Sequence, residues 1–127
     1  MSTEKYKSIA SKLKFEGRAY INGKYVDAVD GEKFETINPA NGDILCSVAK
    51  CNQKDVDLAV QSSRKAFDSG VWSRTSPEHR KEVLLKFAKL LSKEGEENSV
   101  LESVDTGKLI VDCINEVAND APMHFQW

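Results

Sequence analysis

The stretch FETINPANGDIL, Phe34 to Leu45, reads as one strand, a sharp turn and a second strand, and it contains no residue suited to catalysis. Phe34, Thr36 and Ile37 are strand-forming types. Pro39 lacks an N–H, so it forbids a central ladder position and holds Asn38 extended. Asn41-Gly42 supplies the tight turn, and Ile44 to Val48 runs back. A stiff ribbon without reactive groups is a structural part, and the rest of the chain has to explain what it serves.

Upstream, RAYINGKYVDAVDG carries two more turn signals, Asn22-Gly23 and Asp30-Gly31. Asn-Gly between Ala19-Tyr20-Ile21 and Lys24-Tyr25-Val26 predicts a hairpin, because both of its turn positions need positive φ. The region from Ala19 to Val48 is therefore expected to form antiparallel β-ribbons. Residues 1–18 are set apart as an N-terminal arm. Their scattered apolar positions, Tyr6, Ile9, Leu13 and Phe15, fit a weak helix or a mobile segment.

After Val48 the period changes. Val56, Ala59, Val60, Ser63 and Phe67 fall on one helical face. Asn52 is the expected N-cap, with Asp55 three residues on, and Gly70 is the expected stop, with Val71 or Trp72 folding back on the last turn. Ser76-Pro77 opens the next helix as a hydroxyl cap followed by proline at N1. Val83, Leu84, Phe87, Ala88 and Leu91 form its expected buried stripe, with Lys81, Lys86 and Lys89 outward. Gly95 is expected to loosen the chain before a shorter helix, Asn98 to Val104. From Ile110 the residues Ile114, Val117, Ala118, Ala121 and Phe125 mark a last helix, which Pro122 should kink or end. The fold class predicted is α+β, antiparallel ribbons followed by three to four helices. The finish at MHFQW, on an aromatic and without a polar taper, reads as a chain interrupted within an element, with Phe125 and Trp127 exposed.

Composition bounds the function. The 127 residues suffice for one domain, with 40% hydrophobic and 30% charged residues, as in an ordinary globular protein. Eighteen basic residues against 20 acidic ones give a net charge of −2, without the basic surplus of a nucleic-acid binder. No apolar run has membrane-spanning length, and the first residues lack the apolar core of a secretory signal. A cytoplasmic location is expected. Three cysteines, Cys46, Cys51 and Cys113, then read as reduced thiols, each a small half-buried or buried side chain. His79 or His124 as a base for one of them has no local motif behind it, and the spacing of Cys46 and Cys51 from either His does not suit zinc. There is no G-x-G-x-x-G, Walker or G-x-S-x-G pattern.

LESVDTGK, Leu101 to Lys108, is the one motif with chemical interest. Asp105 falls near a helix C-terminus, where the dipole disfavours an anion. Either a cation sits nearby, or Lys108 or a backbone N–H satisfies the carboxylate.

Three stretches in order, YINGKYVDAVDGEKFETINPANGDIL, DVDLAVQSSRKAFDSGVWSRTSPEHRKEVLLKFAKLL and LESVDTGK, resemble the N-terminus of the NAD(P)-dependent aldehyde dehydrogenases. That family shows F-I-N-G-E-W, N-P-A-T-G-E, D-V-D-x-A-V-x-x-A-R-x-A-F, a Trp before S-P-x-x-R, and L-E-x-x-D-x-G-K-P. Within it the wording is closest to enzymes acting on γ-glutamyl-γ-aminobutyraldehyde and betaine aldehyde. The resemblance implies an α/β parent with a Rossmann-type coenzyme domain, of which residues 19–127 are the N-terminal part, and a homodimer or homotetramer. It implies oxidation of an aldehyde to a carboxylic acid by NAD or NADP, with a cysteine thiolate adding to the carbonyl as a thiohemiacetal. None of the three cysteines stands in the family's nucleophile motif, so no catalytic or coenzyme-binding residue is assigned to this chain. It further implies a monovalent cation, Na⁺ or K⁺, on oxygens of Thr36, Ile37 and Asp105, hard donors that suit such an ion. Leu109 departs from the family's Pro and leaves the start of the next helix open. The rival reading is a non-catalytic binding or scaffold module derived from the same N-terminus.

Overall fold

The computed structural model describes residues 3–126, so Trp127 lies outside the described residues. Two compact units divide the chain: Met1–Lys14, Ile37–Asp43 and Glu78–Trp127 form the first, Phe15–Thr36 and Ile44–Pro77 the second.

In the second unit, β1 (Ala19–Ile21) and β2 (Lys24–Val26) pair antiparallel, with Ala19 opposite Val26 and Ile21 opposite Lys24. Asn22 at φ 53° and Gly23 at φ 75° give the left-handed pair that the Asn-Gly signal demands. On the hairpin Tyr20 and Tyr25 meet edge to face at 5.1 Å, with the Arg18 guanidinium 5.5 Å from the Tyr25 ring. β3 (Lys33–Ile37) pairs with β4 (Ile44–Ala49). Consecutive strands joined by so short a turn must run antiparallel. Gly17 lies against β4, its carbonyl accepting the Ala49 N–H at 2.7 Å.

The first long helix, α2 (Gln53–Ser69), follows β4; the short α1 (Thr3–Ala10) lies in the first unit. The Asn52 side chain accepts the Lys54 N–H at 2.8 Å, and the Asp55 carboxylate accepts the Asn52 N–H at 2.9 Å, a complete capping box. The other Asp55 oxygen accepts the Val29 N–H at 2.8 Å, which ties the loop after the hairpin to the helix start. Gly70 at φ 77° ends α2 as expected. Its closure is polar, however. Val71 and Trp72 stay exposed, while the Ser73 hydroxyl and the Arg74 guanidinium donate to the carbonyls of Phe67 and Asp68 at 2.8 and 2.7 Å. Orphan C-terminal carbonyls gain more from such donors than from an apolar lid.

In the first unit, α3 (Pro77–Thr106) is one continuous 30-residue helix, where a break at Gly95 was expected. Gly95 costs the helix about 1 kcal/mol relative to alanine, which its strong helix-forming flanks outweigh. It is buried, and a Cβ there would lie 2.8 Å from the Ala118 Cα, so the missing side chain makes room for the last helical segment. That segment runs without interruption through α4 (Ile110–Cys113), a π-helical stretch (Ile114–Asp120) and α5 (Ala121–His124). Pro122 does not end it. The widened turn before it, with the Ala121 N–H bonded to the Glu116 carbonyl, removes the close approach that makes proline break an α-helix. Phe125 packs edge to face on Phe87 at 4.8 Å yet remains 39% exposed.

The core is small: Ala28, Ala49, Ala88, Val100 and Cys113 are its buried apolar residues among those described. Ala88, Gly95 and Ser99 form the buried seam of α3, and the Ser99 hydroxyl lies 2.6 Å from the Gly95 carbonyl and 3.1 Å from that of Cys113. The expected stripe is largely open to solvent, with Val83, Leu84 and Phe87 all exposed. The α2 face of Val56, Val60 and Phe67 is also exposed. The helical periodicity holds, but no described residue buries these faces.

Candidate functional site

The first unit brings the ribbon tip and the C-terminal turn of α3 together. At the tip, the Asn38 N–H donates to the Asp43 carbonyl at 2.8 Å, and the Asn38 carbonyl accepts the Gly42 N–H at 2.8 Å. The Asn38 side-chain oxygen takes the Ala40 N–H at 2.9 Å, so one asparagine holds the turn from both sides. Gly42 at φ 80° supplies the left-handed residue. Pro39 projects from this turn onto Gly107: a Cβ on that glycine would lie 2.8 Å from the Pro39 Cγ.

On the other side, Asp105 and Thr106 are the last residues of α3. The Gly107 N–H donates to the Ser103 carbonyl at 3.0 Å, with Gly107 at φ 76°. The Ser103 hydroxyl donates to the Lys108 carbonyl at 2.7 Å, and the Thr106 hydroxyl to that of Glu102 at 2.7 Å. Lys108 forms a salt bridge with Glu116, whose carboxylate hydrogen bond raises the lysine pKa above its ordinary value. Leu109, the departure from the family's proline, adopts φ −59° and ψ 133°, a conformation proline itself would take. Its carbonyl accepts the N–H groups of Asp112 and Cys113, which starts α4.

Of the residues proposed from the resemblance as cation ligands, Ile37 ends β3 with half its surface exposed, and Asp105 is exposed on the last turn of α3. These two belong to the first unit. Thr36, the preceding strand residue, is half-buried and belongs to the second. Asp105 offers a hard carboxylate donor near the negative end of the α3 dipole, whereas the carbonyls named with it belong to β3. Sequence reading put Asp105 near a helix end, where it lies, but missed the Pro39–Gly107 contact. The only signal for it was glycine in the D-T-G-K turn.

Cys113 is fully buried, and desolvation, reinforced by Glu102, pushes its pKa up, the opposite of what a nucleophile needs. Cys46 is half-buried and Cys51 exposed, and all three are free. Among the described residues no three His, Cys, Asp or Glu side chains gather as a metal cluster, and no helix is long and apolar enough to cross a membrane. The passage from β4 to α2 is the strand-to-helix turn at which a dinucleotide phosphate would sit in a Rossmann unit. Here it is Lys50-Cys51-Asn52, without glycine, and the helix N-terminus is already filled by the Asn52 side chain and the 2%-exposed Asp55. These residues do not fit a coenzyme pyrophosphate.

The family model described as "Aldehyde dehydrogenase family" matches residues 25–127. "Aldehyde dehydrogenase 1" of Tanacetum cinerariifolium is 48% identical over 102 residues, which are 80% of this chain and 20% of that protein. Among solved structures, an indole-3-acetaldehyde dehydrogenase of P. syringae in complex with NAD⁺ superposes with a TM-score of 0.95 at 40% identity. It covers 100% of this chain and 26% of its own. A γ-glutamyl-γ-aminobutyraldehyde dehydrogenase from Burkholderia cenocepacia gives the same TM-score and coverage at 38% identity. The chain thus spans about a fifth to a quarter of the length of these relatives. The family model covers most of the chain, and the chain belongs to the aldehyde dehydrogenase family.

Proposed function

We propose that this chain is the N-terminal portion of an NAD(P)-dependent aldehyde dehydrogenase whose complete polypeptide oxidises an aldehyde to the carboxylic acid. In that enzyme a cysteine outside these 127 residues adds to the carbonyl, and the coenzyme, held elsewhere, takes up the hydride. The observation that carries the reading is the family match over residues 25–127 in a chain about a quarter as long as its structural relatives. The substrate is an aldehyde of the class handled by the γ-glutamyl-γ-aminobutyraldehyde and betaine-aldehyde enzymes. The enzyme is a cytoplasmic homodimer or homotetramer. Residues 19–127 belong to its coenzyme-binding domain, and residues 1–18 form an N-terminal arm.

The portion itself is inactive and contributes scaffolding. Its β4-to-α2 turn is closed to a pyrophosphate by Asp55, and its exposed α2 and α3 faces are covered by the rest of the enzyme. Size exclusion and calorimetric titration of the purified chain test this, with self-association and no NAD binding expected. A monomer that binds NAD at micromolar concentration overturns it and favours the derived scaffold module. The proposal includes a structural Na⁺ or K⁺ on oxygens of Thr36, Ile37 and Asp105. Asp105→Ala in the complete enzyme then removes K⁺-specific thermal stabilisation and leaves catalysis nearly intact. An equal response to K⁺ and to a bulky organic cation, before and after the change, refutes the cation.

A further inference from the structure

We propose that the contact of Gly95 with Ala118 is a steric key that selects the register of the last helical segment. The π-helical stretch Ile114–Asp120 is then one state of a two-register element whose other state is a plain α-helix. Every residue concerned lies in the first unit, and the register does not depend on what the complete polypeptide catalyses.

A π-helical turn inside a helix holds one residue more than the α-helical turn it replaces. Converting it to α-helix turns everything beyond it by about 100° and shifts it by about 1.5 Å along the axis, the increments of a single residue. The start of the segment is anchored: Cys113 is fully buried, and its carbonyl lies 3.1 Å from the Ser99 hydroxyl of α3. Conversion therefore displaces the far part, bringing Val117 to the place of Ala118 and His124 to the place of Phe125. Gly95 opposes this. A Cβ on Gly95 would stand 2.8 Å from the Ala118 Cα and 2.9 Å from its Cβ, so α3 and the segment meet with room for one methyl group. In Ile114-Asn115-Glu116-Val117-Ala118-Asn119-Asp120 only Ala118 is that small. The branched side chain of Val117 overfills the same space. Pro122, which is buried, suits the widened register as well. In an α-helix its ring would press on the Ala118 carbonyl four residues back, whereas here the preceding Ala121 N–H reaches the Glu116 carbonyl. The selected register puts Phe125 on Phe87 at 4.8 Å and sets which face the segment turns to α3.

Cross-linking with dibromobimane, a short reagent that joins two neighbouring thiols, reads the register directly. The complete polypeptide carries Cys46→Ser and Cys51→Ser, and peptide mapping identifies the joined pair. Phe87→Cys with Phe125→Cys gives the cross-link; Phe87→Cys with His124→Cys does not. The variant Val117→Ala/Ala118→Val/Pro122→Ala moves the small residue back by one place and lifts the proline. In it the cross-link passes from position 125 to position 124. Pro122→Ala alone leaves the cross-link at position 125, because Gly95 still accepts only Ala118. Transfer to position 124 in Pro122→Ala alone shows that the proline selects the register and overturns the key. Retention at position 125 in the triple variant overturns it too. The single variant leaves the Gly95–Ala118 contact in place, so the outcome does not hang on the triple variant folding.

Discussion

Asp55 shows how much one side chain can settle. It is 2% exposed, and its two oxygens take the N–H groups of Asn52 and Val29. Those bonds complete the α2 cap, join the loop after the hairpin to the helix, and set a carboxylate, which repels an anion, at the helix N-terminus. Asp55→Ala removes a charged acceptor from two N–H groups and should cost about 2–3 kcal/mol. Faster hydrogen exchange in the peptide carrying Val29, with α3 unchanged, is the expected signature; unchanged exchange there would contradict it. Leu109 makes the opposite case. It breaks the family pattern, yet its backbone already holds the conformation of the proline it replaces. Leu109→Pro should therefore be tolerated and stabilise the protein by about 0.4–1 kcal/mol through the unfolded state. A lower melting temperature would show that the Leu109 N–H has a bond the proline cannot replace.

Elements were easiest to read where local chemistry decides them. Asn22-Gly23, the Asn52 cap and the Gly70 stop all formed as their residue types require. Gly95 and Pro122 did not act as the breakers their types imply, because tertiary packing decided both. Gly95 lies in the middle of α3 with the Ala118 backbone against it. Pro122 is accommodated by a π-helical turn, which no periodicity argument anticipates. The sign of one substitution separates the two influences. In a solvent-facing helix Gly→Ala gains about 1 kcal/mol, whereas Gly95→Ala drives a methyl into Ala118 and should cost about 1–3 kcal/mol. Thermal denaturation of that single variant decides it, and a stabilised protein would mean the last segment moves aside freely.

At the scale of the whole molecule the main feature is apolar surface left open. Val56, Val60 and Phe67 on α2 are between 49% and 60% exposed, far more than residues of a completed core. Within the proposed enzyme this face is an internal contact; in the isolated chain it is a site for self-association. Phe67→Lys should therefore shift the isolated chain towards monomer in size exclusion while its far-ultraviolet helical signal persists. In the complete enzyme the same change buries a charge and should lower the melting temperature. A Phe67→Lys chain that associates as strongly as the unmodified one would move the sticky surface elsewhere, with Val83, Leu84 and Phe87 on α3 the next candidates.

The sequence by itself determined the strand and helix types, their turns and caps, and the family, because each rests on short-range chemistry or on an ordered series of motifs. Asn-Gly, Asn52 with Asp55, and Ser76-Pro77 act within a few residues of themselves, so their consequences are legible in one dimension. It also pointed to Asp105, since a carboxylate near a helix C-terminus is conspicuous against the dipole. Tertiary structure alone decided that α3 runs through Gly95, that Pro122 sits in a continuous helix, and that Pro39 meets Gly107. Each depends on what another part of the chain places beside the residue, and a glycine reads the same in a sequence whether it breaks a helix or makes room for a neighbour. Burial divided in the same way: periodicity gives the face a helix would bury, but only the presence of a covering element decides whether that face is buried.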